Sequence, residues 1–400
     1  MMNMRVLKLL GVLSVVLLLS SCSFVPFAKI PFSVTFDAPV TFGVPPQPLG
    51  LLSADFDGDG HLDLVTVHLE TNQLVFYKGD GAGNFEQKTT LTVAAHPVAY
   101  TVVDANADGL SDVWVLQDET ARLSLLLGDA DAGLRLGSSV ALTHQDKHDH
   151  AQGAGDPQQF TLGDFNGDGL TDFVLGYEKP TLDVYLGDDQ GGFERSAALV
   201  TDLHKNRLAT LDVDGDGRDD LLVFGTTLSV EGDAFDGSRL VVYRGEKQGF
   251  SAPQKLASSS DFAWKLERAD FNGDGLLDPL MGFVGTGLLG VLPNEGAGTF
   301  GKATNFLIKK ASDITFADLD QDGQLDFVTS ADRGKFSMGE IHVFINAGGL
   351  RVRAPKAFPT RLGPQALTSG DFDENGLPDV AVANFFSDDI SLFFNRTPLP

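Results

Sequence analysis

Seven times along this chain, oxygen-bearing side chains fall at positions one, three, five and nine of a nine-residue stretch that has glycine at position six. The first three sets are Asp55, Asp57, Asp59 and Asp63; Asp104, Asn106, Asp108 and Asp112; and Asp164, Asn166, Asp168 and Asp172. Then come Asp212, Asp214, Asp216 and Asp220, followed by Asp270, Asn272, Asp274 and Asp278. The last two are Asp318, Asp320, Asp322 and Asp326, and Asp371, Asp373, Asn375 and Asp379. A tight loop with this alternation points its carboxylate and amide oxygens at one centre. Hard oxygen ligands in such numbers, with loose geometry, suit Ca²⁺. Glycine at position six (Gly60, Gly109, Gly169, Gly217, Gly275, Gly323, Gly376) permits the positive φ needed where the chain reverses. Position seven is His61, Leu110, Leu170, Arg218, Leu276, Gln324 or Leu377, with no shared side-chain chemistry, as expected if only its backbone carbonyl is a ligand. The expectation is up to seven structural Ca²⁺ ions.

Asp, Asn and Gly are also ordinary turn residues, so seven acidic surface turns are the plain alternative. The charge distribution argues for cations. Of 55 acidic residues, 24 occupy these positions; the other 31 nearly balance 29 Lys and Arg, so almost all of the net charge of −26 lies in the loops. Three or four carboxylates held together repel and take up protons unless a cation intervenes. Nucleic acid is excluded as a partner, because phosphate contacts need clustered Lys and Arg.

The flanks decide which scaffold carries the loops. An EF-hand needs a bidentate Glu at position twelve and helices on both sides; here that position holds Thr66, Val115, Leu175, Val223, Met281, Thr329 and Val382. The segments after the loops, such as LDLVTVHL and VAVANF, are short apolar β-branched runs bounded by turn residues, so they read as strands. Successive motifs start 49, 60, 48, 58, 48 and 53 residues apart, a period that marks an array of supersecondary units. Each unit reads as four strands: one before the loop (LGLLSAD, VAYTVVD), one after it, a third (LVFYKG, LDVYLG), and a fourth opened by Phe85, Phe193, Phe250 or Phe300 after a Gly-rich turn. Seven such units predict an all-β, seven-bladed β-propeller with the metal loop between the first two strands of each blade. The 30 phenylalanines fit apolar packing between blades. The seventh unit runs out after ISLFFN and lacks a fourth strand. Phe36, Asp37, Ala38 and Pro39 echo Phe250, Ser251, Ala252 and Pro253, so the segment from Phe36 to Phe42 is expected to supply it and latch the ring.

These motifs resemble the FG-GAP/VCBS repeat family, the calcium-loop propeller units of integrin α-chain head domains and many bacterial surface proteins, over Phe36 to Asn395. The resemblance implies the same loop placement and side-chain ligation from positions one, three, five and nine. Loop two departs most, with Ala105 and Ala107 at positions two and four, and loop seven has Pro378 before its last ligand.

The N-terminus has its own logic. Arg5 and Lys8 precede an apolar run, Leu9 to Leu19, too short to span a bilayer and shaped like a secretory signal. The ending Leu19, Ser20, Ser21, Cys22 resembles the lipobox of bacterial lipoproteins, and Cys22 is the single cysteine. The expected organisation is a signal peptide over 1–21, a tether lipidated at Cys22 over 22–35 and the propeller over 36–397. By resemblance to Gram-negative lipoproteins, Ser23 after the cysteine favours the outer membrane.

Antiparallel order puts the metal loops on one face and the long insertions (Thr143 to Pro157, Thr226 to Ser238, Asp332 to Gly339) on the other. Loops on a rigid scaffold usually carry binding, so a binding or adhesion module for a protein or glycan partner, anchored in the membrane by its lipid, is one reading. A polysaccharide-acting lyase or hydrolase on the same scaffold is the alternative, because propellers of the family also occur in lyases. Convergent His, Arg, Lys or Tyr groups at the channel mouth would mark the enzyme. No G-x-S-x-G, H-E-x-x-H, P-loop or catalytic cysteine is present. His144, Asp146, His148, Asp149 and His150 form an imidazole–carboxylate cluster that admits a Zn²⁺ site, though its loop composition favours a solvated one. Trp114 and Trp264 sit in predicted strands, where packing is favoured over sugar stacking.

Overall fold

A computed structural model describes residues 23–24, 33–94, 96–142, 156–189, 191–228, 235–309, 311–331, 334 and 337–398. The signal segment, Cys22, the histidine cluster at 144–150 and much of each long insertion lie outside the described residues. Among the described residues there is no helix, and therefore none long and apolar enough to cross a membrane.

Seven sheets, each built on four antiparallel strands, repeat around an axis. The innermost strands are Pro48–Ala54, Pro97–Val103, Pro157–Gly163, His204–Leu211, Ala263–Ala269, Ile314–Ala317 and Pro364–Gly370. Every second strand starts on the position-nine aspartate of its loop: Asp63–His68, Asp112–Gln117, Asp172–Tyr177, Asp220–Leu228, Asp278–Phe283, Asp326–Ala331 and Asp379–Asn384. These strands are buried on both faces, which is why they read as continuous apolar runs instead of alternating ones. Third strands follow at Gln73–Gly79, Arg122–Asp129, Thr181–Gly187, Phe235–Tyr243, Leu288–Val291, Met338–Phe344 and Asp389–Phe393. Six outer strands come from the same repeat: Phe85–Thr92, Gly133–Ala141, Phe193–Val200, Gln254–Ser259, Thr304–Leu307 and Lys356–Leu362.

The seventh outer strand is the N-terminal segment. Val40–Gly43 pairs antiparallel with Asp389–Phe393, from Val40 opposite Leu392 to Gly43 opposite Asp389, and Phe36 bridges Asn395. Seven apolar cores each join two neighbouring blades, including the first and the seventh, where Leu51, Leu64 and Tyr77 meet Phe372, Ala381 and Leu392. The ring is closed. Phenylalanine does much of this packing: Phe56, Phe165, Phe271 and Phe372 lie at position two of their loops and are buried between blades.

Three details differ from the sequence expectation. In blades four and five, Phe250 and Phe300 close small hairpins (Gly245–Glu246 with Gly249–Phe250; Asn294–Gly296 with Thr299–Phe300), and the outer strand starts several residues later. In blade four Pro253, which has no N–H to donate, separates the two. Within the expected insertion at Thr226 to Ser238 the described residues, 226–228 and 235–238, are strand, since the two strands of the hairpin run to nine residues each. Ser23–Phe24 adds in parallel to Thr304–Asn305 of blade five, a pairing with no sequence signal. Trp114 is core, packed with Phe160 and Phe173, while Trp264 is half-buried beside a small cavity.

Candidate metal centres

All seven loops share one hydrogen-bond plan. The position-six glycine has φ between 84° and 90° in every copy, and its N–H donates to the position-one carboxylate: Gly60 to Asp55, Gly109 to Asp104, Gly169 to Asp164, Gly217 to Asp212, Gly275 to Asp270, Gly323 to Asp318 and Gly376 to Asp371. Position four is left-handed as well: Gly58, Gly167, Gly215 and Gly273, but also Ala107, Gln321 and Glu374. The position-five oxygen accepts the N–H of position seven, as in His61 to Asp59 and Leu377 to Asn375. Each loop is thus wound by its own position-one and position-five side chains.

Position nine does more than the sequence suggested. Its two oxygens clamp two backbone amides, one from position two and one from the end of the third strand or two to three residues after it. Asp63 accepts Phe56 N at 3.0 Å and Gly79 N at 2.9 Å; Asp326 accepts Leu319 N at 2.9 Å and Asn346 N at 2.8 Å; Asp379 accepts Phe372 N at 2.9 Å and Asn395 N at 2.7 Å. Asp112, Asp172, Asp220 and Asp278 do the same. Burial pushes these carboxyls up, to about 6 for Asp63, Asp172, Asp220 and Asp278, about 7 for Asp379 and about 8 for Asp326, and neighbouring loop carboxylates add to the effect. A buried carboxylate among like charges is a group that a cation would stabilise.

In loops one, four, six and seven, carboxylate oxygens of positions one, three and nine all lie within 4.8 Å of one another: Asp55, Asp57 and Asp63; Asp212, Asp214 and Asp220; Asp318, Asp320 and Asp326; Asp371, Asp373 and Asp379. Oδ1 of Asp214, Asp320 and Asp373 is buried without a hydrogen-bond partner. An orphaned buried carboxylate oxygen is costly, and three at the same loop position fit a divalent ion with oxygen ligands. Loops two, three and five have Asn at position three, whose amide nitrogen donates to position five (Asn106 to Asp108, Asn166 to Asp168, Asn272 to Asp274).

Basic side chains follow the same division. Each loop with Asp at position three has a base on it: Lys78 on Asp57, Arg244 on Asp214 at 3.3 Å, Arg353 on Asp320 at 3.3 Å and Arg396 on Asp373 at 2.7 Å. Lys78 and Arg244 stand just before the glycine whose amide binds position nine; where position three is Asn, that slot holds Leu127, Leu186 or Pro293. With Arg218 also on Asp216, each loop nets two or three negative charges. Neighbouring loops are tied across blades: His61 bonds Glu374 where the ring closes, Gln321 reaches the carbonyl of Gly376, and Asp164 and Asp219 exchange backbone and side-chain bonds.

A seven-bladed ring with an aspartate-wound loop at the head of every second strand defines a repeat-built β-propeller. The FG-GAP-like repeat family matches residues 55–115, 164–223 and 212–281, and the chain carries FG-GAP-like repeats. Among solved structures, a crystal structure of BBS1N in complex with ARL6DN, soaked with lead, is similar at a TM-score of 0.60 and 14% identity, covering 92% of this chain and 98% of that one. The same complex soaked with mercury gives 0.61 and 13%, covering 91% and 97%. At such identity the likeness is one of fold.

Proposed function

We propose that this protein is a calcium-stabilised propeller, anchored through a lipid on Cys22 at the outer membrane, that binds a partner protein through the face opposite the metal loops. Calcium would be held by positions one, three, five and nine with the position-seven carbonyl, and would supply the positive charge the loops lack. At about 1 mM Ca²⁺ and a Kd of ~10⁻⁴ M, each site adds about 1.4 kcal/mol of stability.

The observation that carries the binding reading is the distribution of exposed apolar side chains. Of ten large exposed hydrophobics among the described residues, six sit at the ends of strands on the insertion face: Val200, Phe262, Val284, Leu307, Met338 and Phe386. Phe262 also stacks on Phe235, with ring centroids 3.7 Å apart. Exposed apolar side chains gathered on one face favour a protein partner over a glycan. The BBS1N propeller, in its own complex, sits with a protein. Ser23, the residue after the proposed lipid site, lies beside Thr304 at the metal-loop end of an outer strand, in keeping with an insertion face turned away from the membrane.

The channel mouth does gather Tyr100, Arg207 and Lys265, the pattern an enzyme would show. Asp313 and Glu267 hold the Lys265 ammonium, and burial raises the pKa of the Tyr100 phenol, so neither is set up to transfer protons near neutrality. The test is site-specific photo-crosslinking in cells, with the label at Phe262 or Phe386 and, as controls, at Leu136 or Leu276. A shared protein adduct from the first pair alone is expected. Equal adducts from the controls, or none from Phe262 and Phe386, would reject the assignment.

A further inference from the structure

The insertion-face half of the central channel is a cavity of about 720 Å³ lined by the innermost strands of all seven blades. Its charged groups are of two kinds. Lys265 is neutralised: its Nζ lies 2.8 Å from Asp313 Oδ1 and 3.1 Å from Glu267 Oε1, and Asp313 is itself fixed by the N–H of Leu367 at 2.9 Å. Arg207 is not neutralised. Its Nε donates to the carbonyl of Trp264 at 2.7 Å, and among the described residues no carboxylate pairs with the guanidinium. Burial pulls its pKa down, with no nearby charge opposing the shift. One strand away, Gln159 accepts the N–H of Leu208 through Oε1 at 3.0 Å, which leaves its amide N–H groups without a protein acceptor among the described residues. Gln365 lies half-buried in the same wall.

Arg207 is half-buried, its guanidinium is partly desolvated, and no carboxylate meets it among the described residues, so an anion in the cavity would supply the missing counter-charge. The planar donor edge of arginine matches carboxylate and phosphate oxygens in pairs, and the cavity has the size of small-molecule sites. We infer that this half of the channel is a binding site for a small oxyanion-bearing molecule of sugar-acid size, its carboxylate or phosphate held by Arg207 with Gln159 donating beside it. The site is separate from the metal loops, which lie at the other end of the innermost strands.

The experiment is calorimetric titration of the calcium-loaded full chain with glucuronate and, separately, with methyl phosphate, using glucose as the neutral control. At least one of the two oxyanions should bind, and the one that binds names the anion; glucose should not. R207Q should weaken that binding at least tenfold and, without ligand, should melt at or above the wild-type temperature, because a partly desolvated charge without a counter-ion has gone. A purely structural arginine would instead lower the melt. Should R207Q fail to fold, R207K, which keeps the charge but loses the fork, should weaken binding severalfold. Failure of both oxyanions to bind wild type at about 10 mM, glucose binding equally well, or unchanged affinity in the folded Arg207 variant would each overturn the inference.

Discussion

Removing calcium should make this protein pH-sensitive in a direction opposite to ordinary acid denaturation. The position-nine carboxyls are raised by burial and by like charges, to about 6 for Asp63, Asp172, Asp220 and Asp278, about 7 for Asp379 and about 8 for Asp326. A carboxyl raised in the folded state binds its proton more tightly there than in the unfolded chain. Its contribution is therefore full below the unfolded value of 3.8 and drains away as pH climbs through the folded value. A rise of about two units on one group is worth about 3 kcal/mol. The six cannot simply add, since a whole domain has a net stability of only about 5–15 kcal/mol. One group's worth is thus the conservative floor. For 400 residues the unfolding entropy is about 0.8 kcal/mol/K, so 3 kcal/mol corresponds to about 4 °C. The assay is scanning calorimetry of protein dialysed free of metal, from about pH 5 to about pH 8, because EDTA itself weakens in acid. The metal-free melt should fall by at least that amount across the range. Saturating calcium should flatten the profile and release protons on binding. A metal-free melt that rises with pH through this window would refute the reasoning.

Other consequences follow from the same geometry. Lys78→Met removes the base on Asp57 and Asp59; calcium should then bind loop one roughly tenfold more tightly, about 1.4 kcal/mol, measured by calorimetry, and an unchanged affinity would show that the base does not oppose the ion. Asp326→Asn spoils a clamp on two buried amides and removes a proposed ligand, so it should cost about 2–4 kcal/mol without calcium and more with it, whereas Asp318→Asn should lower the melt mainly when calcium is present; thermal melts of both variants in both states separate the clamp from the ligand. Deleting residues 36–43 removes the outer strand of blade seven and exposes a sheet edge, so light scattering should detect oligomers and the melt should fall. Cys22→Ser should abolish incorporation of labelled palmitate and release the protein from the membrane pellet; an unchanged pellet fraction would reject the lipid anchor.

Much of the fold was legible because its signals are local. Each loop and the strand after it lie within about fifteen contiguous residues, and the echo of Phe250 to Pro253 in Phe36 to Pro39 pointed to the strand that closes the ring. The observed pairing falls slightly later, at Val40–Gly43, with Phe36 making a single bridge. What could not be read is whatever joins residues distant along the chain. Arg353 and Arg396 reach their aspartates from different positions relative to their loops than Lys78 and Arg244 do. The slot before the position-nine partner, Lys78 and Arg244 against Leu127, Leu186 and Pro293, was nonetheless available as a pattern that follows Asp or Asn at position three. The left-handed position four was hinted at by Gly58, Gly167, Gly215 and Gly273, but Ala107, Gln321 and Glu374 obscured it. Arg207, Gln159 and Lys265 meet in the channel only because innermost strands about fifty residues apart become neighbours in a ring.

The central claim is that the aspartate-wound loops hold divalent ions that fasten a closed ring of blades. Metal analysis of the pure protein, after equilibrium dialysis against about 1 mM Ca²⁺, tests it most directly. The account predicts four to seven bound calcium ions per chain, the lower figure set by the loops that gather three carboxylates at positions one, three and nine. Fewer than four would contradict it.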